Sequence, residues 1–371
     1  MKIFILVLSL LCFSFVPSYA SETADITGVE NSISERAMEN IVKASPEFSF
    51  YGTVEKIKNG NYESNLKGML RKGADMFLSE IRANAVIMGC VMMLGILCSF
   101  ISNLASSFKN GGVSDAAFLC CYAVLAGLSA TGFKEISECA KGAIEDMGFF
   151  IKSLVPFLSV LSASEGRVIT ASVLHTEILV ATAVSSYITE RVILPLVYAS
   201  FALKFINNIT ENKTLANFSV MADKFARRIL SFTLLIFTAV LSLSGFAAGT
   251  VENMGMKTAR FAVSSFVPVA GGALADSVSA VTASFGMIKN SAGIAGIMAI
   301  LLMAAYPVIK CAAVSFIYSF TGALIEPLCD TRLSRAVTSV GEVMGMLFGI
   351  VSISAAQYVI ASAILLFTYG G

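Results

Sequence analysis

The residues in this chain best suited to chemistry are few and widely spaced. Asp276 stands alone between two apolar runs, Phe261–Ala275 and Ser277–Ile288, and Pro268, Gly271 and Gly272 interrupt the first. Neither run spans a bilayer comfortably, and apolar segments of about 10–14 residues more often lie at the interface or re-enter. Non-helical backbone at membrane depth survives only where protein or a water-filled cavity satisfies its polar groups. A broken helix with a carboxylate at its break is how secondary transporters build midplane binding sites. The plainer reading is an interfacial turn at Pro268 and Gly271-Gly272, with Asp276 capping the helix that follows, because Asp is a favoured N-cap. Both readings stand at this point.

Glu177 is the second candidate. It lies beside His175, the chain's single histidine, in a run otherwise apolar from Val168 to Tyr187. If that run spans, Glu177 is an intramembrane charge able to relay a proton or an ion. Lys310, three residues after Pro307, interrupts another uncharged stretch, but its long stem can carry the ammonium to a surface. The motif Ser242-Leu243-Ser244-Gly245 resembles the nucleophile loop of an intramembrane serine protease. It lacks the leading glycine, and His175 precedes it rather than following on a later helix. No GxxxxGK[ST], HExxH or post-strand GxGxxG occurs, so nucleotide hydrolysis and zinc proteolysis lack their usual sites. The eight cysteines form no CxxC pair, so no metal cage, disulfide framework or bound cofactor is indicated. Gly341, Gly345 and Gly349 place small residues every fourth position at the start of the last apolar run. Such a groove lets another helix approach closely, within this chain or in an oligomer.

The elements that carry these residues follow from composition. The chain has 371 residues, of which 56% are apolar and 14% charged, with a mean hydropathy of +0.79. An ordinary soluble chain is about a quarter charged, so the apolar excess must face lipid. We therefore expect an all-α, polytopic membrane protein. A net charge of +1 leaves no basic surplus for a phosphate backbone, so nucleic acid is not an expected partner and the lipid bilayer is. Lys2, the apolar run Ile3–Val16 and Pro17-Ser18-Tyr19-Ala20 read as a signal peptide cleaved after Ala20. Residues 21–83 then form a polar, translocated segment, loosely ordered before Pro46. Leu66, Met69, Leu70, Phe77 and Ile81 predict an amphipathic helix near its end.

Residues 84–371 form the membrane domain. A central Lys, Arg or Asp costs about 2.5–3.5 kcal/mol on insertion scales, so charge-free runs mark the spans: Asn84–Phe108, Ala116–Phe133, Ile229–Val251, Asn290–Ile309 and Val343 onward. Between 147 and 206 the runs are short and charge-broken, admitting three short helices or one span with two interfacial helices. Loop charge places 134–146 outside and 207–228 and the loop with Arg332 and Arg335 inside. That predicts six to eight transmembrane helices, about eight by the odd-crossing count, with one broken or re-entrant segment around Pro268 and Asp276.

The string Ser265-Phe266-Val267-Pro268-Val269-Ala270-Gly271-Gly272-Ala273-Leu274-Ala275-Asp276 resembles the stage III sporulation protein AE family. So does the order of signal peptide, polar N-terminal region and membrane domain. The family most often has Ser where this chain has Ala275. The resemblance implies a non-enzymatic protein of endospore-forming bacteria in the mother-cell membrane around the forespore. It also implies partners: the other stage III A-operon proteins, including an ATPase and ring-forming subunits, and indirectly stage II sporulation protein Q. Together these form a channel-like or secretion-like complex supporting late, sigma-G-dependent forespore gene expression. A self-sufficient secondary transporter using Asp276 and Glu177 is the competing expectation. Such transporters carry two matching halves with paired broken segments, whereas only one break is evident here.

Overall fold

A computed structural model describes residues 26–59, 66–107, 111–210, 213–266 and 271–367; the signal-peptide expectation for 1–20 lies outside them. Every element among them is helical: α1 (Ile26–Asn31), α2 (Glu35–Ala44), α3 (Phe50–Lys58), α4 (Leu66–Ala83), α5 (Ala85–Ser107), α6 (Gly111–Ser164), α7 (Val168–Ile188), a π turn (Thr189–Ile193), α8 (Leu194–Thr210), α9 (Lys213–Phe266), α10 (Gly271–Ile325) and α11 (Thr331–Phe367).

The N-terminal region is more ordered than its sequence suggests. Ser34 caps α2 by accepting from the Ala37 amide, and Ser49 caps α3 by accepting from Gly52. Val29, Ala37, Ile41, Phe50 and Val54 are buried, and the rings of Phe50 and Phe150 meet edge to face with centroids 6.0 Å apart. These short helices gain from α6 and α10 the apolar cover that so few residues cannot make for themselves. The expected amphipathic helix is α4, whose Phe77 ring lies 6.2 Å from that of Phe316 on α10.

The long helices differ most from expectation. Residues 134–146, expected as an outside loop, continue α6 without interruption. At 54 residues α6 is about 80 Å long, more than twice the roughly 30 Å of hydrocarbon. The charges that suggest a loop are met partly along α6 itself, Lys134 with Glu138 and Lys141 with Glu145 four residues on, and partly by other elements. Arg36 Nε donates to Asp146 Oδ2 at 2.8 Å and its Nη2 to Oδ1 at 3.0 Å, while Ser34 Oγ donates to Asp146 at 2.8 Å. Lys310 Nζ lies 2.7 Å from Glu135, so Lys310 is paired at the side of the bundle. The stretch 147–206 is neither of the expected arrangements. α6 ends at Ser164, the chain reverses through Gly166 at φ 86°, and α7, the π turn and α8 form one continuous rod. Likewise 320–342 is mostly helix, with α10 reaching Ile325 and α11 starting at Thr331.

By length and composition five helices among the described residues can cross a membrane. A sixth results if Arg71–Ala83 and Ala85–Ile101, bent by 42°, make one broken span. The core runs along the shared axis of α6, α10 and α11, with Leu154, Ala299, Ile300, Val343 and Leu347 fully buried. α10 and α11 form an antiparallel hairpin closed by the turn before Asp330.

Candidate functional site

The α10–α11 crossing is built on two glycines. A Cβ at Gly341 would fall 2.7 Å from the backbone nitrogen of Ser319 and 2.9 Å from the carbonyl of Ser315, besides meeting Ser319 Oγ. On the facing helix, a Cβ at Gly322 would meet Thr338, including its backbone nitrogen at 3.0 Å. Hydroxyls then bridge the helices: Ser315 Oγ donates to the Gly341 carbonyl at 2.7 Å, and Ser334 Oγ to that of Gly322 at 2.9 Å. Gly345 is tight only against the Ser315 hydroxyl, at 3.1 Å, and Gly349 has nothing within 4 Å. The three-glycine stripe is thus graded along α11, closest at Gly341 and open at Gly349.

Next to this crossing, on α8, α9 and α11, lies a buried ionic cluster. Lys204 Nζ sits 2.8 Å from both Asp223 and Glu342. Its side chain is 9% exposed and that of Asp223 13%. Ser200 donates to Asp223, and Asn208 to Ser339 at 3.5 Å. Asp223 is the buried partner, since a buried ammonium without one is strongly disfavoured, whereas the Glu342 side chain is 55% exposed. A second buried pair, Lys289 with Glu165 at 2.7 Å, ties the turn after α6 to α10.

Between α7 and α11 the contacts are neutral. Ser185 Oγ donates to Gln357 Oε1 at 2.7 Å, and Ser186 and Tyr358 hydroxyls lie 3.0 Å apart. Gln357 and Thr182 are buried, and Gln357 Nε2 and Thr182 Oγ1 have no hydrogen-bond partner there. Glu177 lies on α7 with Oε2 buried and without a hydrogen-bond partner among the described residues, as is His175 Nε2. The chemistry available here is proton exchange or water binding by isolated polar groups. Among the described residues no three His, Cys, Asp or Glu side chains are grouped to hold a metal ion.

The broken-helix candidate divides. Pro268 lies outside the described residues. α9 runs to Phe266 and α10 begins at Gly271, so Gly271, Gly272 and Asp276 occupy the first two turns of α10, described by their backbone alone. Asp276 is the sixth residue of that helix and therefore not its N-cap. The ionic cluster went unread in sequence because Lys204, Asp223 and Glu342 come from three distant segments. Only its rarity as charge beside apolar runs marked Lys204.

Comparison with known proteins places this architecture. A family model described as stage III sporulation protein AE matches residues 48–368, from just before α3 to the end of α11. Stage III sporulation protein AE of Bacillus subtilis (strain 168) is 28% identical over 277 residues, covering 75% of this chain and 69% of that protein. No solved structure matches.

Proposed function

The chain belongs to the stage III sporulation protein AE family, and from that premise we propose that it is a non-enzymatic membrane subunit of the channel-like complex joining mother cell and forespore. In this reading it sits in the mother-cell membrane around the forespore and supports late, sigma-G-dependent forespore gene expression. It works there with the ATPase and ring-forming stage III A-operon proteins and, indirectly, with stage II sporulation protein Q. The observation that carries the proposal is the extent of the family match, which takes in nearly the whole helical body.

Two features of the body support it. Its buried charged residues pair helix to helix, as in a scaffold: Lys204 with Asp223 and Glu342, Lys289 with Glu165, Asp146 with Arg36. The N-terminal helices are also docked against α6 and α10, so partners in the intermembrane space would meet a composite surface rather than a free arm.

The test is affinity purification of a tagged chain from sporulating cells in mild detergent, with identification of what accompanies it. Recovery of the ATPase and ring-forming proteins is expected. A chain recovered alone, or equally abundant in vegetative cells, would refute the assignment. Asp276→Asn is expected to leave sporulation intact, whereas its loss at normal protein level would favour ion-coupled transport.

A further inference from the structure

The outer face of α9 carries a shallow depression lined by residues of that helix alone. Asn217, Val220, Met221, Lys224, Phe225 and Arg228 line a shallow open depression of about 270 Å³. Their spacing of three and four residues puts them on one helical face. Lys224, Arg227 and Arg228 are exposed, and none takes part in an ion pair among the described residues. The neighbouring acid, Asp223, points the other way into its bonds with Lys204 and Ser200. Among the described residues the outward face therefore presents cations without a compensating carboxylate.

Lipid is the occupant this face fits. From Ile229 to Val251 α9 carries no charge, and Met221, Phe225, Phe232, Leu235 and Leu243 are exposed along one line that runs from among the cations into that stretch. That stripe lies in a candidate membrane span and faces acyl chains, so the anion nearest the cations at its edge is a lipid headgroup rather than a soluble one. A phospholipid uses both, with its phosphate against Lys224 and Arg228, the Asn217 amide in reach, and an acyl chain along Phe225, Phe232 and Leu235. Cations at the edge of an apolar run are where membrane-surface potential acts most strongly on a protein. We infer that this face of α9 binds the headgroup of an anionic phospholipid. The inference stands apart from the channel-subunit reading and can fail or hold independently of it.

The probe is phosphatidylglycerol. The full chain is reconstituted in bilayers of phosphatidylcholine alone or of equal parts phosphatidylcholine and phosphatidylglycerol, and the lipid retained after extraction is measured by native mass spectrometry. Selective retention of phosphatidylglycerol is expected. Each of Lys224→Gln, Arg227→Gln and Arg228→Gln should weaken it roughly fivefold, and the triple variant about a hundredfold. Exchange of Lys224 to Arg with Arg227 and Arg228 to Lys should restore retention, and Lys56→Gln with Lys58→Gln on α3 should not alter it. Equal retention of both lipids, or an unchanged triple variant that folds normally, overturns the proposal. Displacement by inorganic phosphate would reassign the site to a soluble anion. Chain-to-chain adducts from a photo-crosslinker at Phe225, in place of lipid adducts, would reassign the face to a second copy.

Discussion

Alanine at each of the three glycines of α11 should give three different results, because the chemical change is the same and only the surroundings differ. At Gly341 the new methyl would lie 2.7 and 2.9 Å from backbone atoms of Ser319 and Ser315. No rotamer change can move a backbone, so α10 and α11 must part until the contact approaches the usual 3.5–4.0 Å. That overpacking costs about 1–3 kcal/mol. It also stretches the Ser315-to-Gly341 bond of 2.7 Å, worth about 1 kcal/mol. Alanine recovers roughly 0.5–1 kcal/mol of helix propensity, so the net loss is about 1–3 kcal/mol. Gly349 meets nothing within 4 Å, so there the propensity gain stands alone and the variant should be stabler by about 0.5–1 kcal/mol. Gly345 falls between, since the Ser315 hydroxyl it would crowd is held by its bond to Gly341. The chain has no tryptophan, so unfolding of the purified protein in detergent is best followed with a thiol-reactive fluorophore, as buried Cys98, Cys121 and Cys311 become exposed. Gly341→Ala as stable as Gly349→Ala would refute the close crossing.

Other substitutions test the polar contacts. Lys204→Met should cost about 3–5 kcal/mol by leaving Asp223 buried without its cation, and adding Asp223→Leu should recover most of that; heat denaturation of single and double variants reads both. Asp146→Leu should free α2 by removing both acceptor oxygens used by Ser34 and Arg36, seen as faster limited proteolysis between residues 31 and 59 with the long helices intact. Burial pushes the Asp330 carboxyl up, but hydrogen bonds from the Arg332 side chain and amide, with that guanidinium's charge, outweigh it and hold the carboxyl below its ordinary value. A carboxylate lowered on folding stabilises the fold above its unfolded pKa of about 4, and the contribution fades as pH falls from there through the folded value. The pH dependence of unfolding below about pH 5 should therefore flatten in Asp330→Asn.

What the sequence revealed depended on whether the cause was local. The amphipathic pattern at Leu66–Ile81 and the glycine stripe at 341–349 are properties of one helix, and both could be read directly. Helix continuity through 134–146 was not legible, because Glu135 and Asp146 are answered by Lys310 and Arg36, more than a hundred residues away. Without those partners the same residues look like a loop in water. Gly322 escaped notice for a similar reason: it has no glycine three or four positions away, and only its facing helix shows why a side chain would not fit.

The π turn at Thr189–Ile193 makes α7 and α8 two pieces of different phase within one rod. Thr182, Ser185, Thr189, Ile193, Val197, Ser200 and Lys204 are all buried, and three successive steps of four between 185 and 197 would wind steadily off one face of a regular 3.6-residue helix. The wide turn absorbs that excess. Wound as ordinary helix, the same five residues would turn all of α8 by about 100°, carrying Lys204 away from Asp223 and Glu342. The wide turn is thus what keeps the ammonium facing its two carboxylates.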